Sequence, residues 1–421
     1  MAMQKNGGKK KLLLISPMLH QGGFEKVCVE TARLLQPFYE VHILIFDDRD
    51  RFFDTEGLDV TCIGVPAKDG KLNKALNVIR RCMKVRRFKK EQKTDISYSF
   101  GSTANIVNCL TRCGDRIVAG IHGGIDLDNS THMKLFFKKA DAVLCCSRGI
   151  LALAGQRYGR ISPVAENLHK GVYVFNPIDT DRIRELAAEP VTDIPFMDSA
   201  AGGTDTEARV LVTVGRDDPQ KGYWHMIKAF YLLQKDPGGR ELRLLIIGGG
   251  SFEKGKRLCK DLGIADKVCF AGLRENPYKY MRRSDLYLLS SNHEGFPVAM
   301  AEAMAAGLPA VASDARTGPR ELLLKEDDYL SLCRQDPLYE KDHEPVKGQG
   351  GILFGPLSEK EDYDPDSIPE EDVRYAGCIR TLLDDDAAMR KTGADACARA
   401  QEFGSRAYVQ ALMKVLEGDG K

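Results

Sequence analysis

Short apolar runs alternate with longer amphipathic ones along most of the chain. KLLLISPML begins the series as consecutive aliphatic residues, the pattern of a strand covered on both faces, and QGGFEKVCVETARLLQ follows as a glycine turn entering a helix. Strand-like runs recur at VHILIF (Val41 to Phe46), VTCIGV (Val60 to Val65), TDISYSF near Asp95, RIVAGIH ending at His122 and AVLCCS ending at Ser147. The segment ELAAEPVTDIPFMDSAAGGTDTEA then interrupts the rhythm with the Pro, Gly, Ala and acidic composition of a linker. Beyond it come VLVTVG, LRLLIIGGGS (Leu242 to Ser251), KVCFAG, DLYLLSS (Asp285 to Ser291), PAVAS and GGILFGP. Strands alternating with helices specify doubly wound parallel sheets, so an α/β fold is expected on both sides of the linker.

Asp285 to Pro309 carries the densest information. After DLYLLSS the chain turns through Asn292, His293, Glu294 and Gly295, reaches Pro297, and runs on as VAMAEAMAA, a string of good helix formers. Pro297 suits the first helical position, Gly307 a left-handed cap, and Pro309 blocks continuation. A helix starting at the carboxyl end of a parallel strand presents unpaired amides and a positive dipole end where open α/β sheets bind ligands, and phosphate suits that place. Glu294 falls at the helix mouth and Glu302 inside an otherwise apolar helix. By spacing alone they are equally a loop carboxylate and a solvated helix carboxylate; a ribose diol would also satisfy Glu302.

Composition narrows the class. The 421 residues, 43% of them hydrophobic, can fill two cores, and 61 Lys and Arg against 60 Asp and Glu argue against a nucleic-acid binder. The one apolar run near the start, Leu12 to Leu19, is too short to cross a bilayer and has no small-residue cleavage site, which argues against secretion. Twelve scattered cysteines without a C-x-x-C pair read as reduced thiols of a cytoplasmic protein. Charge is uneven, however: Lys71 to Lys93 holds ten Lys or Arg and one Glu, a local net charge of +9, with Leu72, Leu76, Ile79, Met83 and Val85 interspersed near helical spacing. This segment suits either a solvated helix face or contact with an anionic membrane surface.

Embedded as EGFPVAMAEAMAAGLPAVAS, Glu294 and Glu302 resemble the E-x7-E signature of family 4 glycosyltransferases. The resemblance implies the GT-B fold, two Rossmann-like parallel-sheet domains facing across a cleft, and transfer with retention of anomeric configuration. It implies an acceptor-binding domain over 1–187, a linker over 188–206, a nucleotide-sugar-binding domain over 207–403 with an acidic surface excursion at about 325–375, and a tail helix over 404–421 packing back on the first domain. In GRDDPQKG, Arg216 and Lys221 match the family's diphosphate-binding pair. Glu294 would orient the donor sugar and Glu302 hold the ribose. His122, at a strand end before Gly123 and Gly124, would sit close to the donor sugar. Gly22, Gly23, Gly249, Leu273, Gly295, Phe296 and Val298 complete the expected donor contacts.

The implied reaction moves a hexose or N-acetylhexosamine from a nucleoside diphosphate sugar, UDP preferred over GDP, to a hydroxyl of a glycan or lipid-linked acceptor. No cofactor or metal is expected, because cations neutralise the diphosphate; the D-x-D pairs Asp48/Asp50, Asp126/Asp128 and Asp179/Asp181 follow no nucleotide-binding pattern. Surface-polysaccharide transferases are the nearest in character, implying a cytoplasmic location with peripheral contact to the inner face of the plasma membrane. Two rivals stay open: a non-catalytic nucleotide-sugar-binding subunit, and a GT-B-fold epimerase, for which grouped acid and base residues are missing.

Overall fold

The structure is a computed structural model that describes residues 8–197, 208–235 and 241–418. The chain forms two units, one of residues 1–177 with 405–421 and the other of residues 178–404. The division falls at Pro177, so residues 178–187, expected with the first domain, lie in the second unit. Residues 198–206 of the expected linker lie outside the described residues.

The first unit contains β1 (Lys11–Ser16), β2 (Glu40–Ile45), β3 (Asp59–Cys62), β4 (Ile96–Phe100), β5 (Arg116–Ile121), β6 (Ala142–Cys145) and β7 (Gly171–Tyr173). They form one sheet in the order β3-β2-β1-β4-β5-β6-β7, parallel throughout. In the second unit β8 (Arg209–Val214), β9 (Leu242–Ile247), β10 (Val268–Gly272), β11 (Leu286–Leu289), β12 (Ala310–Ser313), β13 (Val346–Lys347) and β14 (Gly351–Phe354) follow the order β10-β9-β8-β11-β12-β14-β13. Only β13 runs antiparallel, against β14. Central strands such as β4, β11 and β12 are buried at every position, the reason their sequences read as unbroken apolar runs. Strand order reverses between β1 and β4 and between β8 and β11, so each unit has a topological switch point.

Helix Ser405–Glu417 belongs to the first unit. There Tyr408 Oη and Thr31 Oγ1 are 2.6 Å apart, Tyr39 donates to Glu417 Oε1 at 2.7 Å, and Arg116 Nε donates to the Val415 carbonyl at 3.2 Å. Helix Lys71–Gln92 takes up most of the basic segment. Its inward face holds Val85, Arg81 and Lys89, so two cations and one of the apolar residues expected on the outward stripe are in the core instead. Lys89 Nζ reaches Asp115 Oδ2 at 2.8 Å and Asn108 Oδ1 at 2.6 Å, and Ser97 Oγ donates to the same carboxylate at 2.5 Å. Burial works against the Asp115 charge, but Lys89 and these bonds outweigh it and hold the carboxyl below its ordinary range.

The acidic excursion departs from expectation. Residues 326–335 are a helix, β13 and β14 form a ribbon, and helix Glu370–Leu383 packs on the core of the second sheet. Asp336, Tyr339, Asp372 and Tyr375 are buried. Asp336 is paired with Arg320 and Asp372 with His225, so the segment is tied into the domain. All twelve cysteines are unbridged.

Removing Lys89 leaves the Asp115 charge in the core unpaired. Lys89→Met is expected to lower stability by about 3–5 kcal/mol, and Lys89→Met with Asp115→Leu to recover a large part of it, measured by urea unfolding followed by far-ultraviolet circular dichroism.

Candidate active site

The loops that leave β8 and β11 at their carboxyl ends are the two at the switch point of the second sheet, and they carry the candidate donor residues. Residues 218–222 and 290–293 are zipped by hydrogen bonds. The Asn292 amide donates to the Gln220 carbonyl at 2.8 Å, Gln220 Nε2 to the His293 carbonyl at 2.7 Å, and Ser290 Oγ to the Lys221 carbonyl at 2.8 Å. Gly222 makes the approach possible: its φ is +56°, and a Cβ there would lie 2.2 Å from the Ser290 carbonyl oxygen.

This zipper brings Lys221 Nζ to 2.7 Å from Glu294 Oε1, with Glu294 only 8% exposed. Arg216 stands on the same β8 connection, its side chain 47% exposed and 3.7 Å from Asp218 Oδ2. Behind them Tyr223 donates to the Gly215 carbonyl at 2.8 Å. The glycines after β9 pack the second loop tightly against this turn: a Cβ on Gly248 would lie 1.8 Å from the Gly215 carbonyl oxygen, and the Gly249 carbonyl accepts the Asp217 amide at 2.9 Å. Gly249 thus supports the Arg216 turn through its backbone.

Helix Val298–Ala305 opens at Pro297, which is its N-cap and not its first helical residue, and no side chain caps it. Ala306 ends the helix and Gly307 follows at φ +94°. Glu302 is buried and accepts a hydrogen bond from Tyr278 Oη at 3.0 Å. Gly295 is buried, Phe296 stacks edge-on against Phe403 at 5.5 Å, and Val298 is half-buried at the first helical position. Leu273, beyond β10, is exposed.

The remaining candidates are in the first unit. Gly22 is the extended N-cap of helix Gly23–Leu35, at the carboxyl end of β1, and the Glu25 carboxylate folds back over it. His122 follows β5, its ring stacked on Phe100 at 5.1 Å, with both ring nitrogens buried and without a hydrogen-bond partner. Burial pushes its pKa down to about 4, so the imidazole is neutral near pH 7 and keeps one donor and one acceptor.

Five of the six D-x-D carboxylates have protein partners. Asp48 binds Arg51, Asp126 accepts from Ser102 Oγ, Asp128 binds Arg157, Asp179 caps a helix and Asp181 binds Arg184. Among the described residues no group of three or more His, Cys, Asp or Glu is gathered to hold a metal ion.

Four supporting residues went unread in the sequence: Gln220, Tyr278, His293 and Thr317. Thr317 Oγ1 donates to the Glu294 carbonyl at 2.5 Å, and burial holds the His293 ring below its ordinary pKa against the pull of Glu294. Gln220 and His293 adjoin motif residues, a signal available in principle. Tyr278 and Thr317 act across the fold and carry none.

Two parallel sheets, each with its own switch point, are the architecture of the GT-B class. Residues 21–182 match the family described as Glycosyltransferase Family 4, and residues 197–331 match that described as Glycosyl transferases group 1. Between them the two matches span most of the chain, which is a glycosyltransferase of the GT-B type. It is 25% identical over 290 residues to an uncharacterized glycosyltransferase of Methanocaldococcus jannaschii, covering 68% of this chain and 65% of that relative, just under two thirds of its length. It is 26% identical over 355 residues to the N-acetylgalactosamine-N,N'-diacetylbacillosaminyl-diphospho-undecaprenol 4-alpha-N-acetylgalactosaminyltransferase of Campylobacter jejuni, covering 81% of this chain and 89% of the relative. Among solved structures, Anabaena HepE in complex with UDP-glucose superposes with a TM-score of 0.70 at 20% identity, covering 97% of this chain and 99% of that one.

The unfolded chain binds a proton at His122 near pH 6.5, whereas the folded one does so only near pH 4. The stability that the neutral ring contributes is therefore present above pH 6.5 and lost as pH falls from there toward 4. His122→Phe is expected to flatten the fall of melting temperature across that window relative to wild type, measured by differential scanning fluorimetry in a pH series.

Proposed function

We propose that this chain is a retaining glycosyltransferase that moves a hexose or N-acetylhexosamine from a nucleoside diphosphate sugar, UDP before GDP, to a hydroxyl of a glycan or lipid-linked acceptor. The observation that carries this reading is the meeting of Lys221 and Glu294 at 2.7 Å where the β8 and β11 loops are zipped together. An ammonium has three donors; Glu294 takes one, and the others suit diphosphate oxygens. Arg216 adds a forked cation on the same turn, and the first amides of helix Val298–Ala305 add a positive dipole end. Together these groups would stabilise charge developing on the leaving diphosphate, the main electrostatic demand of glycosyl transfer.

Glu302, held by Tyr278, would accept from the ribose hydroxyls. Glu294 would accept from hydroxyls of the donor sugar and set its anomeric carbon. Within the first unit the neutral His122, its ring 6.2 Å from that of Phe24 beside the turn of Gly22 and Gly23, keeps a donor and an acceptor for a hydroxyl. The leaving phosphate oxygen would take the acceptor proton on the same face, so no further protein base and no metal are needed. The Campylobacter relative is named for a diphospho-undecaprenol acceptor and an N-acetylgalactosaminyl donor group, and HepE has been solved with UDP-glucose; both support the choice of substrates.

A lipid-linked acceptor brings the enzyme to a membrane surface. No described helix is long and apolar enough to cross a membrane. Helix Lys71–Gln92, however, exposes Leu72, Leu76, Ile79 and Met83 at helical spacing, flanked by exposed Lys74, Arg80, Arg86, Arg87 and Lys90. Exposed apolar residues ringed by cations suit the boundary of an anionic bilayer, and peripheral binding at the inner face of the plasma membrane follows.

Slow release of free sugar from one member of a panel of UDP-glucose, UDP-galactose, their N-acetylhexosamine counterparts and GDP-mannose is expected. Lys221→Ala and Glu294→Gln should each lower kcat by roughly 10²–10³-fold; wild-type inertness toward the whole panel, with no thermal shift by UDP or GDP, would sink the reading. Turnover should survive EDTA. In flotation with vesicles, binding should rise with phosphatidylserine content and fall in Lys74→Glu/Arg80→Glu/Arg87→Glu; retention independent of both would discard the membrane role.

A further inference from the structure

The two long connections around β14, residues 324–347 and 355–372, send buried polar groups toward the donor loops. Arg320 is fully buried. Its Nε donates to Asp314 at 2.7 Å, its Nη2 lies 2.6 Å from Asp336 Oδ2, and its plane lies 3.8 Å over the Tyr339 ring. His343 Nε2 is 3.0 Å from Asp314 Oδ2, and its Nδ1 is 2.8 Å from the Glu344 carbonyl. Asp336, Tyr339 and His343 come from the first connection; Asp314 follows β12 and begins the loop that contains Thr317. Thr317 Oγ1, in turn, donates to the carbonyls of Glu294 at 2.5 Å and Gly295 at 3.3 Å.

The second connection does the same for the other loop. Asp372 Oδ1 lies 2.5 Å from Nδ1 of the buried His225, whose Nε2 is 3.0 Å from the Ser358 carbonyl. One helical turn on, Lys228 Nζ is 2.8 Å from Asp362 Oδ2. His225 is in the first turn of helix Tyr223–Gln234, and its amide donates to the Gly222 carbonyl at 3.0 Å, next to Lys221. Glu359 also binds Arg316, beside Thr317.

We propose that these connections are an internal brace for glycosyl transfer, with Asp336, Tyr339 and His343 positioning Glu294 through Arg320, Asp314 and Thr317, and Asp372 and Ser358 positioning Lys221 through His225. It rests on the donor reading of Lys221 and Glu294 given above. Apolar packing would tolerate small shifts of these loops. Buried charges with directed hydrogen bonds do not slide without losing their partners, and displacement by about 1 Å at a donor-orienting group costs up to about a hundredfold in rate. The brace residues touch no substrate; they are positioning residues.

Thr317→Val removes one hydroxyl at nearly constant shape, and Thr317→Ser keeps it; His343→Ala opens the far end of the brace, and Lys341→Ala, an exposed residue on the same connection, is the control. Two readouts apply well below each variant's melting temperature: kcat and KM for the panel sugar that wild type hydrolyses, and hydrogen exchange of peptides covering residues 290–299 and 218–224. Thr317→Val and His343→Ala are expected to lower kcat about tenfold or more and to speed exchange selectively at 290–299, with Thr317→Ser and Lys341→Ala matching wild type. Lower melting temperatures with unchanged kcat and unchanged local exchange would overturn the brace. If wild type hydrolyses no panel sugar and neither UDP nor GDP shifts its melting, the donor reading fails, and exchange in the unliganded protein still decides the brace: uniform rates across wild type, Thr317→Val and His343→Ala overturn it.

Discussion

Lys221 and Glu294 meet at 2.7 Å with most of both side chains withdrawn from water, and the organisation of the second unit follows from making that contact hold. A carboxylate taken out of solvent needs a partner, and the partner must stay in place, because a desolvated ion pair with poor geometry is worse than none. The geometry is supplied in layers. Parallel pairing of β11 with β8 sets the two loops side by side. Backbone and side-chain bonds from Gln220, Ser290 and Asn292 then zip them, and Gly222 gives the room that any Cβ would take away. The candidate donor charges are thus held where strand pairing and loop-to-loop bonds coincide.

Behind that layer lies a second, made of polar contacts where apolar side chains would have filled the space. Arg320 between Asp314, Asp336 and Tyr339, and His225 between Asp372 and Ser358, are costly groups to bury and are fully partnered. Such networks add little to net stability and much to uniqueness of position, the property a donor site needs. The same trade is visible in the first unit, where Lys89 and Asp115 fix helix Lys71–Gln92 against the sheet. That anchoring rotates the remaining cations and Leu72, Leu76, Ile79 and Met83 into solvent. One helix therefore has a charged core face and a charged outer face, with opposite consequences: the first is structural, the second is available to an anionic surface.

Much of the fold was legible in the residues themselves. Runs such as KLLLIS, RIVAGI and LYLL are apolar throughout because strands of a parallel sheet are covered on both faces, and the glycine and proline punctuation around EGFPVAMAEAMAAGLP marks a strand, turn and helix whose front suits phosphate. Arg216, Lys221, Glu294 and Glu302 could be named for the same reason: charged residues at strand ends and in an apolar helix are conspicuous in one dimension. The one-residue misplacement of Pro297 belongs to this level too, since N-cap and first helical position differ only by a backbone torsion.

What the residues could not announce was any relation made across the fold. Asp336, His343 and Asp372 sit in a stretch whose charge and proline content look solvated, and only the packing of that stretch onto β12 and helix Tyr223–Gln234 buries Asp336 and Asp372 and covers much of His343 against their partners. Thr317 and Tyr278 are ordinary residues in the sequence, and they matter because the chain returns to Glu294 and Glu302 from far away. Local pattern determined the elements and the chemistry at their ends, since strand burial, caps and turns depend on neighbours along the chain. Which side chains face one another, and which cations point inward, was decided by tertiary structure, because desolvation and hydrogen-bond direction exist only once the layers have closed.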